Sequence, residues 1–481
     1  MPESSTVSRP IYRWLSRSPA RSLLWLVLAA TVLRALAATT APLLDDEAYY
    51  WVWSRHLDWS YLDHPPVIAY LIYLTTRLGD SALLVRLGPL LLGVATSYAI
   101  FLLGQELFDA RVGLRSAVLF QIVPILVGGA FVASPDAPLF LAWTLALRFI
   151  WQATEGRSIQ WIAAGLAIGF GLLSKLQLIL LVIGVILFLI LNRPRSFLRW
   201  GLYAGATVAG ILFVPVIYWN STHNWAMVRF ILYERPKVLS GIPGTIDLLV
   251  RQLSFAALLF PIVIYAVLYA WRHRVDERFA YLFWTALPSL AIPLIFGFSG
   301  VSRGTWLGTA YLGLAVVVAT FWNRVVSWAA VITATVVAYG LLFPLVPGLP
   351  IPGTEELYGW REAADRVWLE ARLIGNQGVI MADRYEAASL LTYYTRGAIP
   401  VVLFPCPNSA SVWPRPAEFR GVSAATAIDA RWNQVVPWTH YFSRISETPR
   451  LTVQFHARPR TFRIFRLDGF MPEPQCRTPG R

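Results

Sequence analysis

The chain has 481 residues, of which 56% are hydrophobic and only 14% charged, with a formal net charge of +14 and a mean hydropathy of +0.54. A soluble domain carries about 25% charged residues, so this composition excludes one, and the apolar runs are too long and uniform for barrel strands, which alternate. The positive charge is nearly all arginine flanking apolar runs, Lys175 and Lys237 being the only lysines; that pattern reads as cytoplasmic flanks of membrane spans and not as a nucleic-acid surface.

Only helices or closed barrels span lipid, so the chain reads as a polytopic α-helical membrane protein. With roughly 20 residues needed per span, about eleven spans are predicted, at 22–38, 82–104, 114–131, 138–153, 159–174, 176–191, 200–219, 246–271, 279–298, 305–321 and 326–345. Arg9, Arg13, Arg17 and Arg21 precede the first run. No small-residue cleavage site follows it, so it reads as a retained first helix with the N-terminus in the cytoplasm. The Arg-dense short connections then all fall on the cytoplasmic side. The loops 39–81 and 220–245, the turn at Asp136 and the tail after Pro347 fall outside.

The first outer loop carries Asp45, Asp46, Glu47, Asp58, Asp63 and His64 among Tyr49, Tyr50, Trp51, Trp53, Trp59 and Tyr61. Residues 47–56 suit an amphipathic helix lying in the interface. Asp63-His64-Pro65-Pro66 breaks it, and the prolines open a second helix running to Leu78. Carboxylates next to hydrocarbon are costly and mark a working site. Asp136, in a short outer turn, suits either an acid at the membrane face or the N-cap of the fourth span. Lys175, between the fifth and sixth spans, suits a phosphate or carboxylate partner, or a snorkelling lysine. The second outer loop offers His223, Trp225, Arg229, Tyr233, Arg235 and Lys237. Its arginine forks suit phosphate and its aromatic faces suit sugar rings, although a headgroup-binding belt has the same composition.

Residues 347–352 are a Pro/Gly-rich linker, dividing a membrane part (1–346) from an outer part (353–481). The outer part reads as a small α/β domain, with a helix at 359–372, strands at 378–382 and 400–404 and an alternating hairpin over 451–467. Both cysteines, Cys406 and Cys476, lie in it. An oxidising compartment permits a disulfide between them; two free buried thiols are the alternative.

No Walker loop, GxGxxG turn or HExxH helix is present, so a soluble nucleotide donor has no recognisable cradle. Acids, cations and aromatics gather on one side instead, which fits a donor carried by a lipid. The landmarks Asp46-Glu47, His64-Pro65-Pro66, Arg86-Leu87-Gly88-Pro89, Ser134-Pro135-Asp136, Leu173-Ser174-Lys175, Trp219-Asn220 with His223 and Trp225, and Gly359-Trp360 resemble, in that order, the GT-C glycosyltransferases that use polyprenyl-phosphate sugars. The bacterial branch of glycosyltransferase families 39 and 83 is most similar, with its protein O-mannosyltransferases and lipid A aminoarabinose transferases.

The resemblance implies an inverting transfer from a polyprenyl (undecaprenyl-type) phosphate to an envelope acceptor such as lipid A or a protein, at the outer face of the bacterial inner membrane. It implies Asp46 as general base, Glu47 positioning the acceptor or supporting Asp46, and Asp136 as a second acid. Lys175 and Arg235 or Arg229 would bind the donor phosphate, with His64 beside them; aminoarabinose transferases tend to have lysine at the His64 position, so their donor sugar is not carried over. Tyr49, Tyr50 and Trp225 would contact acceptor or sugar. A divalent metal would need Asp63, His64 and His223 to meet in space, and none is expected by default. A flippase for lipid-linked saccharides is the alternative; it would place polar residues along a path through the bilayer and commonly carry inverted repeats, and no repeat is visible.

Overall fold

The computed structural model describes residues 18–234, 239–300, 303–343, 356–374, 378–404, 412–431, 438–455 and 458–472. Arg235, Lys237, the linker at 347–352 and both cysteines lie outside them.

The first helix, α1 (Pro19–Thr40), begins on a proline, where a missing N–H costs nothing. Leu24, Trp25, Leu28, Val32 and Leu36 face outward at helical spacing and are largely exposed. An apolar outer face is stable only with lipid as its solvent. Two short helices follow, α2 (Asp45–Arg55) and α3 (Val67–Thr75), then α4 (Ala82–Leu107). The chain continues as α5 (Ala110–Ile122), α6 (Pro124–Gly129), α7 (Asp136–Thr154), α8 (Gln160–Leu172), α9 (Ile179–Asn192) and α10 (Trp200–Thr222). Then come the single turn α11 (Ala226–Arg229), α12 (Gly241–Ala256), α13 (Phe260–Arg272), α14 (Glu277–Phe298), α15 (Gly308–Thr320) and α16 (Arg324–Leu342). Among the described residues six helical stretches are long and apolar enough to cross a membrane, taking α12 and α13 as one; shorter apolar helices occupy the other predicted windows.

Two windows read as single helices are broken. The window at 114–131 divides at Val123, because Pro124 has no N–H to continue the helical ladder. The freed carbonyl of Gln121 accepts from Arg34 Nη2 at 3.4 Å, while Arg34 Nη1 donates to Gln121 Oε1 at 2.5 Å. Gln121 Nε2 then donates to Ser97 Oγ at 2.6 Å, so this buried break is bridged from inside the protein. The window at 246–271 divides at Ala257, whose φ is 51°. Helices α8 and α10 touch backbone to backbone: a Cβ on Gly165 would meet the Gly205 carbonyl oxygen at 2.1 Å. Small residues permit such close approach in a membrane. The contact sets the end of α8, where Lys175 follows, beside α10.

The outer unit has α17 (Trp360–Ile374), β1 (Val379–Ala382), α18 (Tyr385–Tyr394), β2 (Val401–Leu403), β3 (Ala424–Asp429), β4 (Phe442–Glu447), β5 (Leu451–Phe455) and β6 (Arg458–Phe470). The sheet order is β2-β1-β3-β6-β4, with β5 also pairing β6; β1 is parallel to β2 and β3, and β6 is antiparallel to its neighbours. One apolar core runs through this unit and the first long loop. Trp360, Ala364 and Val367 of α17 share it with Tyr49, Trp51, Trp53 and Ile68. The α/β unit is thus seated on α2 and α3, and α2 lies in the seam.

Candidate functional site

Helix α2 opens with three carboxylates, which its N-terminal dipole favours. They have different fates. Glu47 is fully buried and accepts from four directions: Leu44 N–H at 2.9 Å, Ala133 N–H at 2.9 Å, Arg86 Nε at 2.8 Å and Arg86 Nη2 at 2.5 Å. Arg86 also donates to the Ala41 and Pro42 carbonyls at 2.9 and 2.7 Å. Glu47 has no lone pair left for an acceptor substrate. Of the two roles expected for it, the geometry fits support of Asp46: it pins the first turn of α2 to α4 and to the backbone before Asp136.

Asp46, the preceding residue on the turn, is open to solvent. It sits in a recess crowded by protein on several sides. Partial desolvation and the neighbouring charges of Asp45, Asp63 and Glu386 push its carboxyl up to about 7, against an opposing hydrogen bond from Tyr385. The Tyr385 hydroxyl donates to Asp46 Oδ1 at 3.3 Å.

Tyr49 and Tyr50, expected to contact acceptor or sugar, have their rings buried in the seam, Tyr49 packing 5.1 Å from Tyr385. Only the hydroxyl ends reach the site. Tyr49 hydrogen-bonds Asp63, and Tyr50 lies within the field of Asp46, Asp63 and Asp136, both phenols being held well above their ordinary values, chiefly by burial. The His64 ring is 6.2 Å from that of Tyr50.

Two of the charges expected from separate turns, Asp136 and Lys175, meet. Lys175 Nζ donates to Asp136 Oδ1 at 2.8 Å. Ser174 Oγ donates to the Pro135 carbonyl at 2.7 Å, and the Val67 N–H, at the start of α3, to the Leu173 carbonyl at 3.2 Å. The turn before Asp136, the turn at Lys175 and the end of the first loop are therefore one assembly. Trp219 Nε1 joins α10 to it by donating to Asp58 Oδ2 at 2.8 Å, and Leu62 packs against Trp219, Ala226 and Met227.

Within the second loop Arg229 is exposed on the single turn α11, and Trp225 is half exposed in a left-handed conformation, φ 57°. Among the described residues no three His, Cys, Asp or Glu side chains are grouped to hold a metal. Asp63, His64 and His223 do not form a ligand set: His223 stacks on Trp219 at 4.3 Å and its Nδ1 lies 2.9 Å from the Trp219 carbonyl.

Three contributors were not foreseen. Arg86 stood inside a landmark motif, yet a role for it needed Glu47 in space. The turn Gly304–Leu307 is held against the Lys175 turn by Gln177, whose Nε2 donates to the Trp306 carbonyl at 2.6 Å and to Thr309 Oγ1 at 3.0 Å. Tyr385 comes from a helix in the outer unit whose sequence carries no site signal.

The sequence pattern of the dolichyl-phosphate-mannose-protein mannosyltransferases matches residues 63–219. A lipid A galacturonosyltransferase, RgtD of Rhizobium johnstonii, is 26% identical over 375 residues, covering 73% of this chain and 78% of that protein. Among solved structures, ArnT from Cupriavidus metallidurans in the apo state superposes with a TM-score of 0.67 at 16% identity, over 95% of this chain and 100% of that one. ArnT bound to undecaprenyl phosphate superposes with a TM-score of 0.64 at 16% identity, over 94% and 99%. The chain is a glycosyltransferase with an ArnT-like fold. In this glycosyltransferase the membrane helices and the α/β unit both reach the recess at Asp46, and the chain is a multi-pass membrane protein.

Proposed function

We propose that this glycosyltransferase moves a sugar, with inversion, from a polyprenyl phosphate of undecaprenyl type to a hydroxyl of lipid A or a similar envelope acceptor. A secreted protein is the second acceptor class. The carrying observation is Asp46: a solvent-open carboxyl pushed up to about 7, in the assembly that also presents Lys175. A general base works best with a pKa near the working pH.

Asp46 takes the proton of the acceptor hydroxyl as its oxygen attacks the anomeric carbon from the face opposite the phosphate. The bond from that carbon to the phosphate oxygen breaks, and the lipid phosphate leaves with the electron pair. Lys175 meets the growing charge. Arg229 and, from outside the described residues, Arg235 are the further cations proposed for the phosphate, with His64 at the rim. Asp136 holds Lys175 until the donor arrives. No covalent sugar–enzyme intermediate is required.

The proposed setting is the inner membrane, N-terminus in the cytoplasm and α/β unit outside. Its support is the opposite end of the bundle, where Arg148 pairs with Glu106 and Arg193 with Glu155, and further arginines gather as the positive-inside rule requires. Residues 1–346 form the proposed transferase body, with outer loops 39–81 and 220–245, and residues 353–481 the outer unit.

The test is Asp46→Asn, assayed by mass spectrometry with lipid A and a panel of undecaprenyl-phosphate sugars. Transfer is expected to fall by about 100-fold or more, the usual scale for losing a general base, with undecaprenyl phosphate binding retained. A variant with near-normal transfer overturns the base assignment.

A further inference from the structure

The outer α/β unit reaches the reacting group directly. Its helix α18 places the Tyr385 hydroxyl 3.3 Å from Asp46 Oδ1, across 339 residues of sequence. The Tyr385 ring packs on Tyr49 of α2 at 5.1 Å, and 39% of the residue remains exposed toward the recess. Helix α18 is not resting loosely there. At its far end the Tyr393 ring meets Trp51 edge-on at 5.2 Å, and the Tyr393 hydroxyl donates to the Asp80 carbonyl at 2.9 Å. Arg396 Nη1 donates to the same carbonyl at 2.6 Å. The Asp80 carboxylate in turn accepts from Trp51 Nε1 at 3.0 Å and from Arg55 Nη2 at 2.9 Å. Asp80 therefore ties α18 to the C-terminal half of α2, the helix that carries the base.

We infer that Tyr385 is a positioning residue for the transfer: its hydroxyl holds one oxygen of the Asp46 carboxylate so that the other faces the acceptor, and the outer unit thereby completes the active site. This rests on Asp46 being the base. A free aspartate side chain samples several rotamers, and a carboxylate restrained by one hydrogen bond loses less on reaching the attacking geometry. The bond has an electrostatic consequence too. Asp46 is faced by Asp45 and Tyr50 of its own helix, by Asp63 of the loop and by Glu386 of α18, all of which disfavour its charge or leave it unsupported. Among these neighbours Tyr385 is the one that donates to the carboxylate and favours ionisation.

The experiment is Tyr385→Phe in the full-length protein, which keeps the ring against Tyr49 and removes only the hydroxyl. The readout is the pH profile of kcat/KM for transfer to lipid A, using the undecaprenyl-phosphate sugar that the wild type accepts. The expected result is an acid limb moved up by about one pH unit, the scale of a single hydrogen bond to a charged group. Rates would be about tenfold lower below the limb, and above it the wild-type shape would return with a smaller, pH-independent loss from the less well oriented carboxylate. Binding of undecaprenyl phosphate should stay within twofold, since the hydroxyl touches the acceptor side. A profile lowered equally at all pH values, or left unchanged, overturns the inference. Asp46→Asn, run in parallel, separates the two ideas. If it is inactive while Tyr385→Phe keeps the wild-type profile, the base stands and the positioning role falls; if it is active, the base reading itself has failed.

Discussion

Glu47 and Arg86 form a two-pronged ion pair, Nε to Oε1 at 2.8 Å and Nη2 to Oε2 at 2.5 Å, with both side chains sealed from solvent. Removing one partner of a buried pair leaves an uncompensated charge and costs about 3–5 kcal/mol. Glu47→Gln should therefore lower the melting temperature of the purified protein clearly. Arg86→Lys should not be tolerated either, because an ammonium cannot reproduce the planar fork. If Glu47→Gln melted like the wild type yet lost transfer, Glu47 would belong with the acceptor and not with the scaffold.

Asp46 gives a pH dependence with a definite sign. A base must be ionised to act, so kcat/KM should climb as pH rises, with its midpoint near the value of about 7 at which this carboxyl titrates. Stability runs in the opposite direction. The folded value lies above that of the unfolded chain, about 3.9. The contribution is therefore full below the unfolded value and is lost as pH rises through the folded one. Asp46→Asn removes the group, so it should lose less thermal stability than the wild type between about pH 4 and pH 7, the window the two values set. A wild-type profile flat across neutrality would contradict both statements.

The Asp80 lock predicts a selective loosening. Tyr393→Phe with Arg396→Ala removes two hydrogen bonds worth about 0.5–1.5 kcal/mol each. Hydrogen exchange over α18 should then speed up on the order of tenfold, while the helices of the membrane part exchange as before. Equal protection of α18 in the double variant would show that apolar packing alone seats the outer unit.

The apolar helices were legible because hydropathy windows report directly on lipid. The helix after the acidic cluster and the turn at the double proline were legible because prolines and acidic helix starts act locally. The breaks at Val123 and Ala257 were missed because apolar composition continues across them, although Pro124 and Pro261 stand just after each as the local signal. In the site, Asp46, Asp136 and Lys175 were legible as charges beside hydrocarbon. Their pairing was not, since the Lys175–Asp136 bond joins residues 39 apart and Tyr385 reaches Asp46 from 339 residues away. The burial of the Tyr49 and Tyr50 rings was not legible either, because sequence cannot tell an open ring from one buried under a second domain.

The Lys175–Asp136 bond at 2.8 Å makes the state of the lysine depend on its carboxylate. Lys175 is largely buried, so its charge needs a partner in the absence of donor. A donor phosphate arriving at Nζ must share the ammonium with Asp136 or displace it. Two variants then move binding in opposite directions. Lys175→Met should weaken the binding of undecaprenyl phosphate by about tenfold or more, the scale of losing one charge-assisted contact. Asp136→Asn keeps the shape but removes the competing charge, so it should tighten that binding several-fold while leaving Lys175 less well placed for catalysis. Titration of each purified variant with undecaprenyl phosphate measures this. If Asp136→Asn weakened binding as much as Lys175→Met, Asp136 would be orienting the lysine for the phosphate and not competing with it.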